Sequence, residues 1–308
     1  MTIEELNDAV DSGEIDEVIR VCEARQVKAL SKIADTICAR RGVRLVLLAG
    51  GSSAGKTTTA KRLCTQLRVD GAKALHLSTD DYFVGDARNP RNPDGSFDYE
   101  TIEAVDTARL VQDLVALLEG RTIHPRRFDF ERHEGFDAAE SLSIPPDGYI
   151  VLEGIHALNP RLTEGADESA VFRIFIEPKT QLTVFALTKL SVRNGRLVRR
   201  IVRDNQFRHR PPFETFDIWP SVLAGEEKWI MPFRPNADVE FDSGLDYELA
   251  VLKPYAAGLV ELVRIRRPEE KKACLLSELF AAVHSAPPNA VPGDSILRET
   301  IGGSQLAY

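Results

Sequence analysis

Along residues 3–40, apolar side chains recur at helical spacing, with Ile15, Val18, Ile19, Val21, Leu30, Ile33 and Ile37 marking successive turns. Ser12 and Gly13 interrupt the pattern, so a short helix followed by a long one is expected. At Val43 the periodicity gives way to an apolar run bounded by glycines, 43–49 (VRLVLLA), which reads as a strand buried on both faces. Further strands are expected at 74–78, 149–152, 171–176 and 238–241. Helical patterns cover 56–67, 101–118, 182–204, 213–230 and 247–263, and the clearest loops are 85–98 and 145–148. Strands alternating with helices imply an α/β protein, with a mostly parallel sheet covered by helices on both faces. The expected organisation is a helical extension (1–41), a central domain (42–266) and a C-terminal extension packed on it (267–308). Packing on the central domain is the reading of residues 1–41, with a partner-binding arm as the alternative.

Composition narrows the function. The 308 residues are 43% hydrophobic and 28% charged, ordinary for a globular chain with a substantial core, and the formal net charge is −8. Such an acidic balance argues against nucleic-acid binding, which needs a basic surface to displace counterions. Cys22, Cys38, Cys64 and Cys274 are widely spaced and suggest neither a zinc site nor a disulfide scaffold. The N-terminus is acidic without an apolar stretch, and no run approaches a membrane span, so a cytoplasmic protein away from membranes is expected. Homo-oligomer formation stays open.

The strongest chemical signal follows the first strand. Gly50, Gly51, Ser52, Ser53, Ala54, Gly55, Lys56 and Thr57 fit G-x-x-x-x-G-K-[ST] between an apolar strand and a helix, and together with Thr58 they are the expected nucleotide-binding residues. Glycines let such a loop wrap closely enough for main-chain N–H groups to converge on phosphates, and the helix N-terminus adds positive potential. Lys56 would reach the β- and γ-phosphates and Thr57 would ligate Mg²⁺, so ATP with Mg²⁺ and a P-loop NTPase fold are expected.

Phosphoryl transfer also needs a carboxylate to accept a hydroxyl proton and another to organise the metal, both beyond strand C-termini near the loop. Asp80 and Asp81 follow the strand at 74–78, and Asp80 is the expected base, with a place near the metal. Glu153 follows the strand at 149–152 and would hold Mg²⁺ directly or through water. Helix capping by Asp80 or Asp81 is the plain alternative.

Between 193 and 210 lie seven arginines and one acid, Asp204. Arg196, Arg199, Arg200 and Arg203 are spaced to share a helix face, beside Leu197, Val198, Ile201 and Val202. An arginine-rich lid near 190–212 that closes on the transferring phosphoryl group is the expected role.

Taken in order, GGSSAGKTT (50–58), LSTDDYF (77–83), GSFDYETIEAVD (95–106), PRRFDFERH (125–133), VLEGIHALNP (151–160) and RLVRRIVRDNQFRHR (196–210) resemble the uridine kinase and phosphoribulokinase family. WPSVLAGEEKWI (219–230) and SILRETIGGSQLAY (295–308) look like the ends of a uridine kinase-like subgroup, some members of which carry an N-terminal TGS domain; none precedes the matching stretch here. The resemblance implies a catalytic aspartate at Asp80, a ribose-diol carboxylate at Asp98 and a base-contacting histidine at His133. It also implies substrate contacts from Tyr82 and Phe128, catalytic and substrate-side arginines at Arg200 and Arg203, and nucleotide-side arginines at Arg208 and Arg210. Phe128 departs from the tyrosine of pyrimidine-specific members, and His209 from a frequent glycine. The implied activity is transfer of the γ-phosphate of ATP to the 5′-hydroxyl of a ribonucleoside. A sugar phosphate or other alcohol metabolite is the alternative acceptor, and a non-catalytic NTP-binding regulator the alternative class.

Overall fold

The computed structural model describes residues 1–92, 95–129, 132–164, 166–179, 183–184, 188–189 and 191–307. The helical periodicity at the N-terminus becomes α1 (Ile3–Asp11) and α2 (Ile15–Ala39), parted at Ser12–Gly13 where Gly13 takes a left-handed φ of 77°. Thr2 opens α1 with a capping box, accepting from Glu5 N while its own N–H donates to Glu5.

Five parallel strands make the central sheet: β1 (Leu45–Ala49), β2 (Ala74–Ser78), β5 (Tyr149–Glu153), β6 (Val171–Glu177) and β9 (Val239–Asp242), in the order β2-β5-β1-β6-β9. The unbroken apolar run of β1 is the central strand, and all five of its residues are buried. Leu48 pairs with Glu153 on one side and Ile174 on the other, so the loop after β1 emerges beside the end of β5. Strand order reverses at β1, which opens a crevice at the C-terminal edge of the sheet.

Helices α3 (Lys56–Val69) and α4 (Thr107–Leu118) lie on opposite faces of the sheet, and the second half of α2 shares the core of α3. A largely helical core gathers α5 (Val192–Phe207), α6 (Pro212–Trp229), α7 (Glu248–Arg266) and α8 (Lys271–Ala282) with Ile3, Leu6, Ile15 and Ile19 of the N-terminal helices. The short α9 (Arg298–Ile301) completes it through Leu297 and Ile301. Residues 1–41 are therefore sealed into two cores.

Some expectations need correction. The helix expected from 182 begins only at Val192, where Ser191 caps it by accepting from Asn194 N. Ahead of it, β7 (Thr183–Val184) pairs antiparallel with β8 (Thr188–Lys189). The helix expected from 101 begins at Thr107, capped by Asp106, after a 3₁₀ turn at Ile102–Ala104. The hairpin of β3 (Arg126–Asp129) and β4 (Glu134–Asp137) has no apolar alternation to announce it.

Candidate active site

The loop 50–55 joins the central strand to α3. Ser53 (φ 59°) and Gly55 (φ 87°) both take left-handed backbone, which turns successive N–H groups toward one concavity. Gly50 has no room for a side chain, because a Cβ there would lie 2.3 Å from Ile176 O. Lys56 starts α3, and its Nζ returns across the loop to donate to Gly51 O at 3.2 Å. The first-turn amides of α3 lack intrahelical acceptors, so loop and helix together make an anion cradle.

Thr57 Oγ1 donates to Glu153 Oε1 at 3.0 Å. Glu153 is buried at the end of β5. Burial works against its charge, but His76 at 3.8 Å, Lys56 and Ser78 more than offset this and hold it below the usual carboxylate range. Asp80 lies in a 3₁₀ turn (Thr79–Tyr82) after β2, with Ser78 Oγ accepting from its N–H at 3.3 Å. Burial and the neighbouring Glu153 push its pKa up to about 6, against the pull of Lys56 and Arg208. Asp81 instead accepts from Arg127 Nη1 at 2.9 Å.

Opposite this edge lies the 95–106 segment. Asp98 accepts from Glu100 N at 3.0 Å, and its own main chain is held by Pro90 O and by the Asn89 side chain. Glu100 faces the same space: burial pushes its pKa up to about 7, while Arg200 and Lys56 pull it down and Asp98 and Asp80 oppose them. Phe83 packs edge-on against Phe128 (5.6 Å) and Tyr99 (6.2 Å), making an aromatic wall beside these carboxylates. His133, at φ 55°, sits at its end with Nδ1 3.1 Å from the Tyr99 hydroxyl and 3.2 Å from Asp86.

Helix α5 forms another wall. Arg200 Nη1 donates to Ser52 Oγ at 2.7 Å and Arg196 Nη1 to Ser52 O at 3.4 Å, tying the helix onto the phosphate loop. Arg196 pairs with Glu226 at 2.6 Å and Arg199 with Glu248, both buried, so these two arginines are committed to structure. Asp204, wholly buried, gathers Arg203 (2.9 Å), Arg200 (3.3 Å), Arg208 (3.6 Å) and Arg210 (3.8 Å). Burial opposes charge on Asp204, but these guanidinium groups hold it below its ordinary value. Crowding by Arg203, then burial, lowers Arg208 to about 10, which leaves it charged at neutral pH.

Lys56, Thr57, Asp80, Glu153, Asp98, Arg200 and Arg208 therefore line one crevice or act on one another across it, and Phe128 and His133 bound it. Tyr82 is a correction. It is buried with its hydroxyl donating to Asp113 Oδ2 at 3.0 Å, so it supports α4 and leaves no hydroxyl for an acceptor. Within the expected lid near 190–212, Leu197, Val198, Ile201 and Val202 are entirely buried, so this face of α5 packs into the core while its arginines face the loop. Sequence reasoning missed Glu100, His76 and Arg127. A histidine inside a strand was the available signal for His76, whereas Glu100 and Arg127 lie in stretches where charge is unremarkable.

A phosphate-cradling loop at the switch point of a parallel sheet, followed by a lysine and a threonine bonded to a buried carboxylate, defines the class: a P-loop protein of the kinase fold. A profile of the Phosphoribulokinase / Uridine kinase family matches residues 45–250, and the chain belongs to that family. Its members are phosphotransferases that use ATP. The uridine kinase of Ligilactobacillus salivarius is 28% identical over 209 residues, covering 67% of this chain and 88% of that protein. That of Halobacterium salinarum is 28% identical over 198 residues, covering 64% and 79%. Among solved structures, a possible uridine kinase from Bacillus stearothermophilus aligns with a TM-score of 0.46 and 20% identity, over 71% of this chain and all of that one. No helix of the described residues is long and apolar enough to cross a membrane.

Proposed function

We propose that this chain transfers the γ-phosphate of ATP to the 5′-hydroxyl of a ribonucleoside. The observation that carries the reading is Asp80, a carboxylate with its pKa raised to about 6 at the mouth of the phosphate loop, between Glu153, Lys56 and Arg208. A carboxylate so tuned is ionised at neutral pH yet basic enough to take a proton. The acceptor oxygen forms its bond to the γ-phosphorus as the bond from that phosphorus to the β–γ bridging oxygen breaks, and the acceptor proton passes to Asp80. Lys56, Arg200 and Arg208 supply fixed positive charge as the transferring group passes between the two oxygens.

Thr57 and Glu153 offer an all-oxygen donor pair in contact and with the carboxylate kept ionised, which fits Mg²⁺. Bound there, it would neutralise phosphate charge.

Asp98 and the aromatic wall favour a ribonucleoside, since one carboxylate can accept from both hydroxyls of a vicinal diol while the rings cover a base. The Phe128 ring can stack on a base but carries no hydrogen-bonding group, so discrimination between bases should be weak. A sugar-phosphate acceptor is the second reading, favoured by four arginines converging on Asp204.

A coupled ADP-release screen of ribonucleosides, 2′-deoxyribonucleosides and sugar phosphates tests this. Turnover with ribonucleosides at least tenfold above their deoxy counterparts is expected. Turnover only with sugar phosphates would establish the second reading instead. Tight ATP binding without turnover on any of the three classes would point to a regulator.

A further inference from the structure

The family match ends at residue 250, yet the chain comes back to the phosphate loop near its end. Ile296 packs so closely on Gly55 that a Cβ on this glycine would lie 2.4 Å from Ile296 Cγ2. Thr58, in the first turn of α3, donates from its hydroxyl to Glu299 Oε2 at 3.1 Å. A narrow cleft of about 10 Å³ results, with Ser53, Gly55, Arg199 and Arg203 on one side and Ile296, Glu299 and Thr300 on the other.

The segment is built to stay there. Arg298 donates to the main-chain carbonyls of Pro288, Val291, Pro292 and Gly302, folding the segment around its own side chain. Ser295 is buried and donates to Glu23 Oε1 at 2.5 Å, and Glu23 also accepts from Tyr247 at 2.7 Å and from Arg62 at 3.3 Å.

A nucleoside triphosphate has two ends. Its γ-phosphate belongs beside Asp80 and Glu153, toward which Thr57 points. The next residue of the helix projects about 100° away, and Thr58 points to Glu299. The cleft holds none of the acceptor-side carboxylates Asp80, Asp98 or Glu100. A carboxylate only accepts hydrogen bonds and repels phosphate, so at this place it suits sugar hydroxyls. Resting on the phosphate-loop reading, we infer that the segment Ser295–Thr300 forms the nucleoside wall of the nucleotide site, with Glu299 accepting from a ribose hydroxyl of ATP.

The test measures binding of ATP, 2′,3′-dideoxy-ATP and inorganic tripolyphosphate, by calorimetry, to the full-length protein and to Glu299→Ala. ATP should weaken about tenfold in the variant, the size expected for loss of a hydrogen bond to a charged group, while tripolyphosphate is unchanged. In the wild type 2′,3′-dideoxy-ATP should bind about tenfold more weakly than ATP, a comparison that needs no variant and survives poor folding of Glu299→Ala. Equal weakening of ATP and tripolyphosphate would mean that Glu299 only supports the loop, and tighter ATP binding would mean that the segment obstructs the site. Either result overturns the inference, as does equal wild-type affinity for ATP and its dideoxy form. Failure of the wild type to bind ATP or tripolyphosphate at all would sink the phosphate-loop reading as well.

Discussion

The Thr57 hydroxyl donates to the Glu153 carboxylate at 3.0 Å, joining the first turn of α3 to the end of β5 across the floor of the crevice. Thr57→Val and Glu153→Gln should each lower kcat by about 10²-fold or more, the scale expected when groups that stabilise transition-state charge are lost, with little change in the Michaelis constant of the acceptor. Because the Glu153 charge helps raise the Asp80 pKa, Glu153→Gln should also move the acid limb of the residual pH–rate profile to lower pH. An unmoved limb would show that the two carboxylates do not interact.

Asp80 makes opposite demands on rate and stability. In the wild type kcat/KM should rise with pH through a limb near 6, where Asp80 loses its proton. Asp80→Asn should cost about 10²–10⁴-fold in kcat. Its folded pKa lies above the ordinary 3.8, so folding favours the protonated acid and the contribution to stability is lost as pH rises from about 4 to about 6. Asp80→Asn should therefore melt at a higher temperature than the wild type at pH 8, with the gap closing below about pH 4. A lower Tm at pH 8 would argue that the ionised carboxylate is held by its neighbours rather than penalised.

Asp204 has the reverse sign. Its folded pKa is depressed, so its stabilising contribution is complete above the ordinary value of 3.8 and fades as pH falls through the depressed one. Asp204→Asn leaves four guanidinium groups without their common counter-charge and should destabilise by about 3–5 kcal/mol at pH 7, the range for a broken buried ion pair. Denaturant melts of wild type and variant should differ in full down to about pH 4 and converge only as pH falls further, through the depressed pKa.

Tyr82→Phe tests the assignment of that residue to support. Losing one buried hydrogen bond to Asp113 should cost about 1 kcal/mol, while Asp113 keeps Arg109 at 3.0 Å. Steady-state kinetics should give unchanged kcat and KM; a raised acceptor KM would restore Tyr82 to the substrate site.

Much of this arrangement was legible in the sequence, for a physical reason. Central parallel strands are apolar on both faces, so 43–49, 149–152 and 171–176 announce themselves, and residues that follow them fall at the crevice. Lys56 and Thr57 come from fixed spacing, and Asp80 and Glu153 from their position after strands. The β3–β4 hairpin lies at the surface with charged residues on both strands, so it lacks a period-two signal. Arginine spacing on α5 identified a common face but not its partners: Glu226 and Glu248 are far away in sequence, and only packing reveals that Arg196 and Arg199 are spoken for. The return of 295–300 to the phosphate loop has no local signature either, since Glu299 becomes informative only beside Thr58.

The burial of the first 41 residues in two cores has a thermodynamic consequence. Ile3, Leu6, Ile15 and Ile19 share a core with α5 to α9, whereas Leu30, Ile33 and Ile37 share one with β1 and α3. Opening either end of the chain would expose apolar surface belonging to the other, so the two ends should exchange their slowest amide hydrogens together and at the rate of global unfolding. Cutting the chain after residue 41 should yield no separately folded fragment, and heating should give one cooperative transition in which the phosphate loop and both ends are lost at once.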